Sequence, residues 1–147
     1  MLNYKDKLKR EVAMLIIRYL IVVLVGLALM SPYPAWADKV QKSLQSAARN
    51  YFRQAMMLGT DGKDEEALRA LQQAVSCDAN FYEAYSMMGS SLERLGRYSE
   101  AEAALRRAVQ IKPDYVEGHY YLGVFLQERG RTQEAEQAFQ KAKQLQR

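Results

Sequence analysis

The stretch YEAYSMMGSSLERLGRYSEAEAALRRAVQIKPDY, residues 82–115, decides how the rest of the chain is read. It contains two runs in which apolar residues recur at i, i+3, i+4 and i+7, the spacing of one helix face. Gly96 stands between them as a turn. Moving forward by one period gives VEGHYYLGVFLQERGRTQEAEQAFQKAKQLQR, residues 116–147, two residues short of a full copy. Moving back gives ARNYFRQAMMLGTDGKDEEALRALQQAVSCDANF, residues 48–81. The period is 34 residues.

In register, small residues coincide. Ala55, Gly89 and Gly123 align in the first half of each unit, and Gly62, Gly96 and Gly130 at its middle. Ala67, Ala101 and Ala135 align in the second half, as do Ala74, Ala108 and Ala142, with Leu71, Leu105 and Phe139 at one large position between them. The pattern predicts two antiparallel helices per unit. Small residues let the helices approach closely, and the large residue fills the space between neighbouring units.

These residues resemble the tetratricopeptide repeat family, which shares this period. The second unit carries the resemblance most fully, in Tyr85, Met88-Gly89, Leu92, Gly96, Tyr98, Ala101, Leu105, Ala108 and Pro113. The third has Leu122-Gly123, Leu126, Gly130, Ala135, Phe139 and Ala142. The first departs at Gln54, Asp64 and Ala79, where the family favours Leu, Tyr and Pro. The resemblance covers residues 48–147 and implies an all-α fold: an α-solenoid of three helix-turn-helix units, 48–81, 82–115 and 116–147, behind a hydrophobic leader helix. Residues 38–47 are expected to extend the first helix as a cap. At the other end, Lys143 replaces the valines at 75 and 109, and Gln133, Gln137, Gln140 and Gln144 form a polar stripe. Such a face suits a terminal unit turned to water, so the repeat domain is expected to be complete.

In this family the first helix of each unit lines a concave groove. The resemblance places Arg49, Phe52, Arg53 and Met56 there from unit one, and Glu83, Ser86, Met87 and Ser90 from unit two. Unit three would add Glu117, Tyr120, Tyr121, Val124 and Gln127. The Lys/Asn/Arg set with which some members clamp the carboxylate of chaperone tails is absent: Phe52, Met56 and Glu117 occupy its positions. An apolar, aromatic groove with Met at its floor suits an amphipathic helix or an extended apolar segment. Tyr82, Tyr85, Tyr115 and His119 are expected as packing residues and Cys77 as small apolar filler. The run Asp64-Glu65-Glu66 is expected to open a helix, where carboxylates favour the dipole.

The leader lies upstream. Residues 1–13 are basic, 14–30 are apolar apart from Arg18, and SPYPAWADKV follows at 31–40. The uninterrupted apolar part, Tyr19 to Met30, would cover about 18 Å of a bilayer core about 30 Å thick. Pro32 and Pro34 end the helix, and Ala35-Trp36-Ala37 has the small residues of a signal-peptidase site. Residues 1–37 therefore read as a secretory signal peptide cleaved after Ala37, and the alternative is a retained single-span anchor. Either reading puts the repeat domain outside the cytoplasm, in the periplasm or another extracytoplasmic compartment.

Charge and composition narrow the function. Of 21 Lys and Arg and 17 Asp and Glu, residues 38–147 hold 16 and 15, so the formal charge of +4 belongs mainly to the leader. A nucleic-acid binder needs a clustered cationic face, which this balance does not provide. One His and one Cys cannot supply a structural zinc site, and no Gly-rich phosphate loop is present, so neither metal nor cofactor is expected. Catalysis needs a constellation of groups that the sequence lacks, because Glu100, Glu102, Glu134 and Glu136 read as solvent faces of helices. The expected function is an exported scaffold, not an enzyme, that holds a peptide or subunit of an envelope complex. The alternative is a membrane-anchored assembly factor or accessory subunit, with membrane contact only if the leader is retained.

Overall fold

The computed structural model describes residues 11–22 and 35–147. The basic start of the leader, its apolar end, and Pro32 and Pro34 lie outside the described residues. The chain divides into two compact units, Met1–Val40 and Gln41–Arg147. In the first, residues 11–22 are helical (α1) and leave large apolar side chains from Val12 to Val22 exposed. Among the described residues, no helix is long and apolar enough to cross a membrane.

Regular structure in the described residues is entirely helical, an all-α solenoid. Helix α2 spans Ala35–Thr60, so Ala35, Trp36 and Ala37 form its first turn, with Asp38 as the acidic residue near its dipole. It continues without a break through residues 38–47. The remaining helices are α3 (Asp64–Cys77), α4 (Tyr82–Arg94), α5 (Tyr98–Ile111), α6 (Val116–Glu128) and α7 (Thr132–Leu145). Each of α3 to α6 packs on the helix that follows it.

The turn inside each unit is built the same way three times. Gly62, Gly96 and Gly130 take φ of 73°, 74° and 75°, a left-handed conformation that side chains with a Cβ resist. Each turn closes with two backbone bonds. Gly96 N–H donates to the Glu93 carbonyl at 2.9 Å and Arg97 N–H to the Leu92 carbonyl at 2.8 Å, a Schellman closure. The pairs Gly62 to Gly59 with Lys63 to Leu58, and Gly130 to Gln127 with Arg131 to Leu126, repeat it.

The small residues predicted for close approach do that work. A Cβ on Gly89 would stand 2.5 Å from Leu105 Cγ, and one on Gly123 would stand 2.6 Å from the Phe139 ring. Ala55 is fully buried beside Leu71 in the first unit. One apolar cluster joins α2, α3 and α4 through Ala55, Ala67, Leu71, Ala74 and Ala84. A second joins α3 to α7 through Leu68, Leu92, Leu105, Leu122, Phe125 and Leu126. Burying side chains such as Phe125 and Leu126 contributes about 2–3 kcal/mol each relative to exposure.

Helices α5 and α7 are also linked by charge. Glu102 accepts from Arg106 Nε at 2.8 Å and from Arg131 Nη1 at 2.7 Å. Glu134 accepts from Arg131 Nη2 at 2.7 Å and from Arg106 Nη2 at 3.0 Å. Hydrogen bonds from Arg131 foremost hold both carboxyls below the usual carboxylate range. The expectation that Glu102 and Glu134 merely face solvent is thus corrected: the Glu102 side chain is 24% exposed and both belong to an inter-helix network. Glu100 and Glu136 are exposed, Glu100 pairing with Arg97 at the start of α5 and Glu136 accepting from Gln140.

Lys143 and the glutamines at 133, 137, 140 and 144 are exposed on α7, whereas Val75 and Val109 pack against the core clusters. Cys77 is half-buried. His119 Nε2 lies 2.9 Å from the Pro113 carbonyl oxygen, to which it donates, tying α6 to the turn before it.

Candidate binding groove

The first helices of the three units contribute to a cleft of about 470 Å³. Phe52 and Met56 lie one helical turn apart on α2, and Gly59 and Thr60 continue that face to the helix end. Opposite, α4 presents Glu83, Ser86, Met87, Ser90, Ser91 and Arg94 at the same three- and four-residue spacing. Tyr115, from the turn before α6, and Tyr121, from α6 itself, complete the wall. Amphipathic spacing explains the arrangement: Ala55 and Ala84 point into the core, so the residues beside them are left facing the cleft.

Seven of the predicted positions therefore meet in one place: Phe52, Met56, Glu83, Ser86, Met87, Ser90 and Tyr121. The others stand elsewhere. Arg53, Glu117 and Gln127 are exposed and Val124 is half-buried, all outside the lining of the cleft. Tyr120 turns the other way, its ring 5.6 Å from that of Phe139 on α7, and lines a separate hollow with Phe139, Ala142, Lys143 and Gln146. Arg49 lines a neighbouring cavity of about 480 Å³ with Gln45, Asp78, Asn80, Phe81 and Tyr82, and this cavity shares Phe52 and Glu83 with the first.

Sequence reasoning missed two important members. Tyr115, assigned to packing, does stack edge-on against Tyr82 at 4.8 Å, yet it also lines the cleft. Arg94, in the last turn of α4, is not among the expected groove positions. Its Nε donates to Asp64 Oδ1 at 2.7 Å, bridging α4 to the first residue of α3 and closing one end of the cleft. The alignment held a partial signal for Tyr115, which shares its register position with Phe81, a residue that packs on Phe52 with ring centroids 5.0 Å apart.

The chemistry is that of a binding surface. The floor is apolar, Met56 is 47% exposed and Ser90 is half-buried, whereas Ser86 and Ser91 are buried. The Glu83 carboxylate beside the Tyr82 hydroxyl, helped by burial, pushes that phenol up to about 12. Burial first, with Glu117 and Glu83 adding to it, pushes the Tyr115 phenol up as well. Both phenols are neutral donors at physiological pH. Among the described residues, no three His, Cys, Asp or Glu side chains come together as metal ligands would.

A family model described as "Tetratricopeptide repeat" matches residues 52–116 and 86–147. No curated protein matches the sequence. Among solved structures, the second TPR of Spaghetti (RPAP3), bound to the HSP90 peptide SRMEEVD, is similar with a TM-score of 0.68 at 20% identity, covering 73% of this chain and 98% of that one. The first TPR of the same protein, bound to the same peptide, gives 0.66 at 18%, covering 69% and 80%. A crystal structure of MamA gives 0.64 at 22%, covering 69% of this chain, which spans 60% of that protein's length. At these identities the likeness is one of fold.

Proposed function

Since the chain belongs to the tetratricopeptide repeat family, we propose that it is a protein-interaction scaffold whose cleft between α2, α4 and α6 holds a segment of a partner protein. The observation that carries this is the convergence of Phe52, Met56, Met87 and Tyr121 on one open surface. Apolar side chains at that exposure contribute most when a partner covers them. Solved neighbours of the same fold that hold an HSP90 peptide support a peptide segment as the kind of ligand. No step of catalysis is assigned to the domain.

In this reading the leader exports the scaffold to the periplasm or another extracytoplasmic compartment, and the partner is a peptide or subunit of an envelope complex. The basic start, short apolar run and Ala35-Trp36-Ala37 support export. A second reading keeps the leader as an anchor and makes the protein an assembly factor or accessory subunit of a membrane complex. It draws on the helix at 11–22, which carries apolar side chains on every face, a pattern suited to lipid. The intact mass of the native protein separates the two. A chain beginning at Asp38 supports the first reading, and a full-length chain in the membrane pellet supports the second.

The groove itself is tested by a photo-crosslinking residue placed at Met56 or at Gln137 in the full chain in cells. Met56 lines the cleft and Gln137 is exposed on α7. A discrete crosslinked partner from Met56 and none from Gln137 is expected. The same partner from both sites, or from Gln137 alone, would move the working surface away from the cleft.

A further inference from the structure

The cleft is unevenly charged, and the inference drawn from this rests on its reading as a binding site. Two charged residues line it, Arg94 and Glu83. Arg94 is already committed: its Nη2 lies 2.6 Å from Asp64 Oδ1, and the Asp64 side chain is only 13% exposed. Drawing the guanidinium toward a ligand would leave that carboxylate largely covered and unpaired, a costly exchange. Glu83 is in the opposite condition. It lies in the first turn of α4 and lines both cavities, and among the described residues it forms no ion pair. Its phenolic neighbours Tyr82 and Tyr115 are neutral, and Lys112, whose Nζ stands 5.2 Å from the Tyr82 ring centre, is paired with Asp114 at 3.7 Å. The neighbouring cavity, of similar volume, carries both signs in Arg49 and Asp78, so the imbalance belongs to the apolar cleft.

We propose that this cleft selects a protein segment in which a large apolar side chain stands next to a lysine or arginine. The apolar group lies on Phe52, Met56 and Met87, and the cation pairs with Glu83. A half-buried carboxylate with no internal ion pair gains a charge-assisted hydrogen bond from such a ligand. An acidic segment meets like charge at the same place and finds no uncommitted cation in the cleft. Tyr115 and Tyr121 lie on the same wall and place aromatic rings within the cleft lining, which a cation favours.

The test selects a phage-displayed library of random twelve-residue peptides on the immobilised full-length chain. Fluorescence anisotropy is then read with the enriched peptides, with circular dichroism confirming that each variant is folded. Enriched peptides are expected to place Lys or Arg beside Leu, Met, Phe or Trp. Glu83→Gln is expected to weaken them about tenfold, the scale of a hydrogen bond to a charged group, and Met56→Asp to abolish binding. Enriched acidic peptides, or basic peptides indifferent to Glu83→Gln but lost with Met56→Asp, would overturn the selectivity and leave the groove standing. Peptides indifferent to Met56→Asp, or no enrichment at all, would overturn the groove itself.

Discussion

Gly89 and Gly59 are both helical glycines, and their surroundings set opposite constraints. A Cβ on Gly89 would meet Leu105 Cγ at 2.5 Å and the Ala101 carbonyl oxygen at 3.3 Å, with backbone on one side and a core leucine on the other. A Cβ on Gly59 would find its nearest neighbour, Arg94 Nη2, at 3.7 Å, an ordinary contact. Gly89→Ala is therefore expected to destabilise the domain by about 1–3 kcal/mol through overpacking. Gly59→Ala is expected to be neutral or to stabilise it by up to about 1 kcal/mol, because alanine loses less backbone entropy in a helix. Thermal melts should separate the two variants by at least about 5 °C. Equal shifts would mean that α4 can move off α5 at little cost. Glu93 shows a different residue-scale tension. Its Oε1 is buried without a partner, and burial first, then Glu128, pushes the carboxyl up.

At the scale of elements, the three Gly turns and the small-for-large matching of paired helices were legible because the sequence states each of them three times. Repetition separates a structural glycine from an incidental one. The lattice of Glu102, Arg106, Arg131 and Glu134 was not legible. On one helix those residues look like an ordinary solvent face, and only the packing of α5 and α7 shows that Arg131 Nη1 reaches Glu102 at 2.7 Å. The lattice has a pH signature. The folded state holds the Glu102 carboxyl below its unfolded range, so its stabilisation is present above that range and lost as pH falls through the depressed value. Glu102→Gln is expected to cost roughly 0.5–1 kcal/mol at pH 7, with the difference from the parent shrinking as pH falls through the depressed value. Melting temperature measured over this pH range checks it. A constant offset across that range would mean the carboxylate contributes packing and no charge.

For the whole molecule, the solenoid was legible and the lining of its cleft was legible in part. The α2 and α4 positions converge as register requires, while α6 delivers Tyr121 but turns Tyr120 onto Phe139. Adjacent helical residues diverge by about 100°, which here carries Tyr120 toward α7 while Tyr121 stays on the cleft. Tyr115 and Arg94 escaped because their places depend on how one unit leans on the next, a relation that no single unit encodes.

The three glycines at 62, 96 and 130 share one backbone geometry, with φ between 73° and 75°. Each unit therefore behaves like a tile whose edges are cut to one template. A chain in which residues 82–115 are inserted a second time after Tyr115 is expected to fold as a longer stack. It should melt in one transition at or a few degrees above the parent, since stability in such arrays grows with each seam. Two separate transitions would show that the edges do not match. A surface assembled from tiles lengthens in whole steps, so the span of partner it can grip is a matter of counting and needs no new side chain.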